Sequence, residues 1–415
     1  MRKLKSNSVD ELVEMIFMSF SMIPEKAWII GFSGGKDSSL LVDLAVEYVS
    51  EYDQEISLHI IYADTLIEYP MVRDYAYEFL DRIDFYRRKK DLRIYTYRVK
   101  PDIGRDFLSL QLIKGYPMPH RKFRWCTEKL KIIPARSVIE SIIKEYGESN
   151  TALLNGSRLD ESTYRSGIMK KRVRGCRDCI DPVTGCSTKY ILRLMKRKTG
   201  VEFSEGLPFF VTRSRGFKAS VKVYSPFAYL REEDIWSIIK SRIKPSFTDK
   251  PLYRELLKLY GKYGGRYLSD HSIRFGCWLC TVATKDKSGE YFIKVYKDRR
   301  KQLEIIKWAR NALFTISHKA PEIFRKEGRF PKQEYNGLNE YGLELTRTIY
   351  YIVYMKYREA FKSYLEEPIY REQLNNLLKI NREKVLNIIE TVLVSKNIPE
   401  EVRKTLVEIK DYLGK

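Results

Sequence analysis

The chain has no uninterrupted apolar run of the roughly 18 residues that a bilayer-crossing helix needs, so no transmembrane segment is expected and no membrane partner is called for. A secretory signal is not expected either. The most apolar N-terminal stretch, Met15 to Ile23, follows Asp10, Glu11 and Glu14 and leads to no small-residue cleavage site, which predicts the core-facing side of a helix. Cysteine is sparse: Cys126, Cys176, Cys179, Cys186, Cys277 and Cys280 are all there are. Without a signal, a cytoplasmic location is expected, where such residues serve as metal ligands or redox groups more often than as disulfides. Acidic residues fall short of basic ones, 54 against 76, leaving a net charge of +22. Either a polyanionic partner or a thermophile's charged surface would account for that excess. Its distribution favours the first, because fifteen basic and only four acidic residues lie between Arg165 and Lys222. That segment reads as an electrostatic footprint for nucleic acid.

A further absence is the Walker A loop. In Gly31-Phe-Ser-Gly-Gly-Lys-Asp-Ser-Ser39, Asp37 stands where Walker A has Ser or Thr, and its outer glycine would fall on Ile30. What is present is a different phosphate-binding turn. Trp28 to Phe32 reads as a buried strand, and Leu40, Leu41, Leu44, Ala45 and Tyr48 recur at helical spacing. The loop therefore lies at a helix N-terminus, where unpaired backbone N–H groups and the helix dipole attract an anion. Gly34 and Gly35 allow close backbone approach, Ser33, Ser38 and Ser39 offer hydroxyls, and Lys36 offers charge.

Apolar runs at 56–63, 92–99, 151–155 and 221–224 predict further strands, and helical patterns span 71–88 and 232–241. Strands alternating with helices predict an α/β fold with a doubly wound, mostly parallel Rossmann-like sheet. Ligands of such sheets sit at strand carboxyl ends, which makes Asp64 a candidate for Mg²⁺ or the nucleotide. It also makes Asn155-Gly156-Ser157-Arg158 a candidate phosphate loop, with Gly156 permitting close approach and Arg158 and Arg165 suited to oxyanions. Cys126 is expected at a helix start beside Arg121, Lys122 and Arg124, a setting that lowers a thiol's pKa and suits a ligand or sulfur-handling nucleophile. Cys176, Cys179 and Cys186 can supply three zinc ligands, and Cys277-Trp-Leu-Cys280 lies between aromatics beside Arg274 and Lys285, as an iron–sulfur site would. Three regions follow: a nucleotide-binding domain over 1–245 with a cysteine-containing basic insertion at about 165–222, a C-x-x-C and helical extension over 246–366, and a small helical segment over 367–415. From Ser288 onward the pattern is helical.

Together, S-G-G-K-D-S-S at 33–39, R-W-C-T-E-K-L-K at 124–131 and R-F-G-C-W-L-C-T-V at 274–282 resemble the phosphoadenylylsulfate reductase-like branch of the PP-loop, or adenine-nucleotide alpha-hydrolase, superfamily. Within it the chain looks most like the DndC-type sulfurtransferases of DNA phosphorothioation, over about 26–358. The resemblance implies ATP pyrophosphatase chemistry, a 4Fe-4S cluster and sulfur insertion into the DNA backbone. It also implies partners: DNA, a cysteine desulfurase or other sulfur donor, and further phosphorothioation proteins. Carried over by position, Ser33, Gly34, Gly35, Asp37 and Ser38 would bind ATP, and Cys126, Cys277 and Cys280 would ligate the cluster. A fourth family cysteine is missing; Asp270 and His271 stand in its region. The alternatives are a phosphoadenylylsulfate reductase, whose E-C-G-[IL]-H string is absent, and a tRNA-thiolating enzyme.

Overall fold

A computed structural model describes residues 8–158, 210–214, 221–228, 230–262, 276–282, 285–330, 333–395 and 397–414. The chain divides into two compact units, 1–62 with 75–98 and 135–258, and 63–74 with 99–134 and 259–415.

The first unit is built on a sheet. Its strands are β1 (Ala27–Phe32), β2 (Ser57–Ala63), β3 (Ile94–Val99), β4 (Thr151–Leu154), β5 (Phe210–Ser214) and β6 (Val221–Ser225), in the order β3-β2-β1-β4-β6-β5. β1 runs parallel to both β2 and β4, and β4 parallel to β6, while β5 pairs antiparallel with β6 at the edge. This is the doubly wound, mostly parallel arrangement that the alternating pattern predicts. Trp28, Ile30, Leu58 and Ile60 are fully buried, as expected of strands covered on both faces. β5 departs from the sequence reading, which placed no strand within the basic segment.

Helix α1 (Val9–Ser21) begins at a reciprocal cap in which the Glu11 N–H donates to the Ser8 hydroxyl at 3.2 Å and the Ser8 N–H to the Glu11 carboxylate at 3.0 Å. It buries Leu12, Ile16 and Phe20, in line with the core-facing role expected of that apolar stretch. α2 (Lys36–Glu51) follows β1 and buries Leu40, Leu41, Leu44 and Ala45 without residual exposure. α3 (Pro70–Lys90) leads to β3. The short α4 (Phe107–Leu112) and α5 (Trp125–Thr127) belong to the second unit, and a π-helical turn, Glu128–Ile132, leads from there into α6 (Ile133–Tyr146) ahead of β4. After β6 come α7 (Glu232–Ser241) and α8 (Leu252–Leu259).

The rest of the second unit is mainly helical, starting with α9 (Lys287–Val295), α10 (Arg300–His318) and α11 (Pro321–Phe324). The sequence reads as helical from Ser288 onward; Tyr296 ends α9 and a 3-10 turn over Lys297–Arg299 restarts the chain as α10. A hairpin of β7 (Arg325–Phe330) and β8 (Gln333–Leu338) also interrupts the helical pattern. It is followed by α12 (Glu340–Lys356), α13 (Lys362–Leu365), α14 (Pro368–Leu377), α15 (Arg382–Leu393) and α16 (Glu400–Gly414). Trp278, Tyr350 and Phe361 pack edge to face in this unit's core, the Tyr350 and Phe361 ring centroids lying 6.4 and 5.9 Å from the indole.

Candidate functional site

The strand order reverses between β1, which has β2 and then β3 on one side, and β4 on the other. Open α/β sheets bind ligands at such a switch point, beyond the strand carboxyl ends. β1 ends in the Ser33–Ser39 loop and β4 in Asn155–Arg158, so the two segments singled out in the sequence are the two lips of that crevice.

The first lip is shaped by Gly34, whose φ of +70° is a left-handed conformation that suits glycine. Gly35 is the N-cap of α2 and makes no side-chain cap. The loop's serines brace it from within. The Ser33 N–H donates to the Ser38 hydroxyl at 3.1 Å, and that hydroxyl donates to the Gly35 carbonyl at 3.1 Å. Ser39, expected to face phosphate, is fully buried and accepts a hydrogen bond from the Tyr75 hydroxyl at 3.2 Å. Lys36 lies 3.2 Å from the Asp37 carboxylate and 3.8 Å from Glu232.

The second lip meets the first at Gly156. A Cβ there would lie 3.2 Å from both Cβ and the carbonyl oxygen of Asp37, so the close approach that this glycine permits is to the start of α2. Asn155 anchors the lip, its side-chain oxygen accepting from the Ser157 N–H at 3.0 Å and the Ser225 hydroxyl at 2.9 Å. Arg158 is 1% exposed, and its Nε sits 2.8 Å from Asp37 Oδ1. The pair is misaligned for hydrogen bonding: Asp37 Oδ1 and Arg158 Nε and Nη1 have no hydrogen-bond partner among the described residues. A buried guanidinium with unused donors costs free energy unless an anion completes it. Sequence reasoning named both residues but had no means of seeing this mutual placement. Arg165 and the cysteines at 176, 179 and 186 lie outside the described residues, as do Asp270, His271 and most of the basic insertion.

The second unit holds the remaining expected residues. Asp64 is fully buried and engaged internally, accepting from the Leu66 N–H at 2.8 Å and the Ser363 hydroxyl at 2.9 Å, with Arg73 Nε at 3.8 Å. Leu66 adopts φ +69°, so this turn is strained. Glu68 accepts from the Thr65 hydroxyl at 2.7 Å and is raised in pKa, chiefly by burial and then by Asp64.

The chain at Cys277 lies alongside this turn through a bridge to Glu68, and the Trp278 N–H donates to the Ile67 carbonyl at 3.0 Å. Cys126, Cys277 and Cys280 are not disulfide-bonded. The Cys277 thiol is pushed well up by its hydrogen bond with Cys280, by burial, and by the neighbouring Cys280, Cys126 and Glu68. Cys126 is also raised, first by burial and then by Cys280, with Arg124 only a minor opposing influence. The thiolate expected from the basic flanks of Cys126 is thus corrected: exposed cations are screened, whereas burial acts on the sulfur directly. The metal expectations are corrected as well. Among the described residues no three His, Cys, Asp or Glu side chains gather as a group able to hold a metal ion. The Mg²⁺ expected at Asp64 falls with the cluster, since both oxygens of that carboxylate already accept hydrogen bonds inside the unit. Nothing described supports zinc. In the same unit Arg310, 4% exposed, donates through Nε to the Cys280 carbonyl at 3.0 Å, an anchor that no motif announced.

The profile of the phosphoadenosine phosphosulfate reductase domain matches residues 27–283, from the first residue of β1 past the C-x-x-C turn. The chain belongs to this family. It is thereby a PP-loop protein of an ATP-utilising enzyme family, and the matched residues include the loop at 33–39. An uncharacterized protein from Methanocaldococcus jannaschii is 28% identical over 149 residues, 36% of this chain and 26% of that protein. The match thus spans about a quarter of that relative's length. Among solved structures, the U34-tRNA thiolase NcsA from Methanococcus maripaludis, with its 4Fe-4S cluster, is 13% identical. The alignment covers 78% of this chain and 83% of that one at a TM-score of 0.30, too low to carry any argument about site or substrate. The DNA phosphorothioation specificity that the resemblance implied is not shown. No described helix is long and apolar enough to cross a membrane.

Proposed function

We propose that this protein is an ATP-dependent sulfurtransferase that thiolates a base of RNA. The observation that carries the first half-reaction is Arg158, sealed behind Asp37 at the sheet's switch point with two donor nitrogens unused among the described residues. ATP's phosphates lie on the first turn of α2, held by its N–H groups, Lys36 and Arg158. A base carbonyl oxygen attacks the α-phosphorus, the bond to the bridging oxygen breaks, and pyrophosphate leaves. The positive groups at the loop stabilise the charge gathering on that leaving group.

Sulfur then arrives as a persulfide on Cys126 of the Cys126, Cys277 and Cys280 group, supplied by a cysteine desulfurase or comparable donor. Its terminal sulfur attacks the activated carbon, and AMP leaves with the former carbonyl oxygen. A second thiol of the group attacks the carrier cysteine's sulfur. This releases the thiolated base and leaves a disulfide that an external thiol reduces. A base carbon suits this sequence better than a DNA backbone phosphorus, which is already charged and carries two ester groups whose loss would cut the strand.

The test is to incubate the protein with α-³²P-ATP, transfer RNA, a persulfide donor and a thiol reductant, then analyse nucleotides and digested nucleosides. Expected are AMP, pyrophosphate and a thiolated nucleoside, all lost in Asp37→Ala. With Cys126→Ser, pyrophosphate release should survive while thiolation stops. Release of ADP and orthophosphate refutes the α-phosphate assignment. Sulfur appearing in DNA phosphodiesters, or sulfite released from phosphoadenylylsulfate, replaces the acceptor.

A further inference from the structure

Immediately before Cys126 the second unit displays a tight turn that the chemistry above leaves unused. His120 and Phe123 close it with a pair of backbone hydrogen bonds of 3.0 and 3.3 Å. Everything beneath it is fixed. The Met118 N–H donates to the Ser317 hydroxyl at 3.1 Å, His318 Nε2 donates to the Met118 carbonyl at 2.8 Å, and the Thr281 hydroxyl donates to the Pro119 carbonyl at 2.6 Å. Trp125, 5% exposed, donates to the Pro117 carbonyl at 3.0 Å. Its indole lies 4.9 Å from the Phe107 ring and 5.2 Å from the Tyr116 ring. On this rigid base Arg121, Lys122, Phe123 and Arg124 are all exposed. Phe123 is 42% exposed although Tyr116 and His120 flank its ring at 6.4 and 6.2 Å. None of the three cations is in an ion pair among the described residues.

Three cations without ion pairs among the described residues, set around an exposed aromatic ring, suit a base and its neighbouring phosphates. A packed core needs none of these residues exposed, and a merely soluble turn needs no phenyl ring. We propose that the 120–124 turn is an RNA clamp: Phe123 stacks on an unpaired base of an RNA loop while Arg121, Lys122 and Arg124 hold the phosphates beside it. The site deepens the RNA-thiolation reading and rests on it for the identity of the strand. Its position fits, since the turn ends at Arg124, two residues before Cys126 in the chain. A base held by the clamp is thereby brought to the sulfur-carrying group.

The test uses the full chain, a fluorescent single-stranded RNA of about 20 nucleotides and a blunt RNA duplex of equal length, with anisotropy titrations from low to moderate salt. Phe123→Ala should weaken single-strand binding roughly tenfold, with duplex binding and the salt slope little changed, and Phe123→Trp should restore it. Replacing Arg121, Lys122 and Arg124 together by Gln should flatten the slope of log affinity against log salt by about two, because three phosphates are then no longer neutralised. These side chains are exposed, so the variants should keep the parent melting temperature. Unchanged single-strand affinity in Phe123→Ala, or an unchanged salt slope in the triple variant, overturns the clamp. If RNA is thiolated equally well by Phe123→Ala, the clamp fails and the sulfurtransferase stands. If binding depends on Phe123 but no RNA is thiolated, the clamp stands and the sulfurtransferase reading fails.

Discussion

Replacing Gly156 by Ala tests whether the β4 exit must lie directly against the start of α2. The new methyl carbon would sit 3.2 Å from Cβ and the carbonyl oxygen of Asp37 and 3.3 Å from its carbonyl carbon, closer than ordinary van der Waals contact. Two of these three atoms are backbone, so no rotamer change relieves them. α2 is pinned by Leu40, Leu41 and Leu44, all fully buried, and cannot slide as a body. The first turn of α2 or the Asn155–Arg158 lip must therefore give by a few tenths of an ångström. Overpacking of this kind costs about 1–3 kcal/mol, which for a chain of this size lowers the melting temperature by about 1–3 °C. The same shift moves Arg158 relative to Asp37, so affinity for a non-hydrolysable ATP analogue should fall about tenfold, a loss of about 1.4 kcal/mol. Gly31→Ala is the matched control. A Cβ at Gly31 meets nothing within 4 Å, and its φ is not left-handed, so stability should hold or rise by about 0.4–1 kcal/mol. Calorimetric melting and titration of both variants read the two effects separately. A Gly156→Ala protein that melts and binds like the parent would refute the argument that this contact positions the phosphate site.

Further outcomes follow from burial and charge. His59 is 2% exposed and its pKa is lowered to about 4 by burial, below the unfolded value near 6.5. The unfolded chain then binds the extra proton, so stability is complete above pH 6.5 and falls by about 3 kcal/mol as the pH drops to 4. His59→Phe should flatten denaturant midpoints of the first unit over that window. Because Cys277 is raised well above the ordinary thiol range, iodoacetamide should label it slowly at pH 7 and faster as the pH climbs. Mass spectrometry of digests follows each cysteine, and rapid labelling at neutral pH would contradict the buried, hydrogen-bonded thiol. Arg158→Lys keeps the charge but loses the planar fork, so ATP-analogue affinity should fall at least tenfold in the same titration.

Much of this protein was legible without coordinates because its signals are local. A buried strand, a glycine turn and a helix start are each encoded within a few residues, so Trp28 to Tyr48 announces both a fold and an anion site. Strands β1 to β4 and β6 could be read from apolar runs for the same reason. The β5 edge strand is harder to read, because its short apolar run, Phe209 to Val211, is set in a segment dominated by charge. The hairpin at 325–338 was missed likewise, its Lys, Glu and Arg residues giving no apolar alternation to read.

The residue types at the switch point are encoded locally, since the 33–39 loop and the β4 exit each carry their chemistry in adjacent positions. What those residues face is set by contacts between distant parts of the chain. Asp64 looked open at a strand end, yet Ser363 and Arg73 close over it. Cys126 looked activated by its basic neighbours, yet burial and Cys280, far away in the chain, raise its pKa. Gly156 looked like a place for ligand, yet it makes room for Asp37. Burial, desolvation and ion pairing depend on atoms brought together across the chain. Linear spacing carries only the short-range part of them.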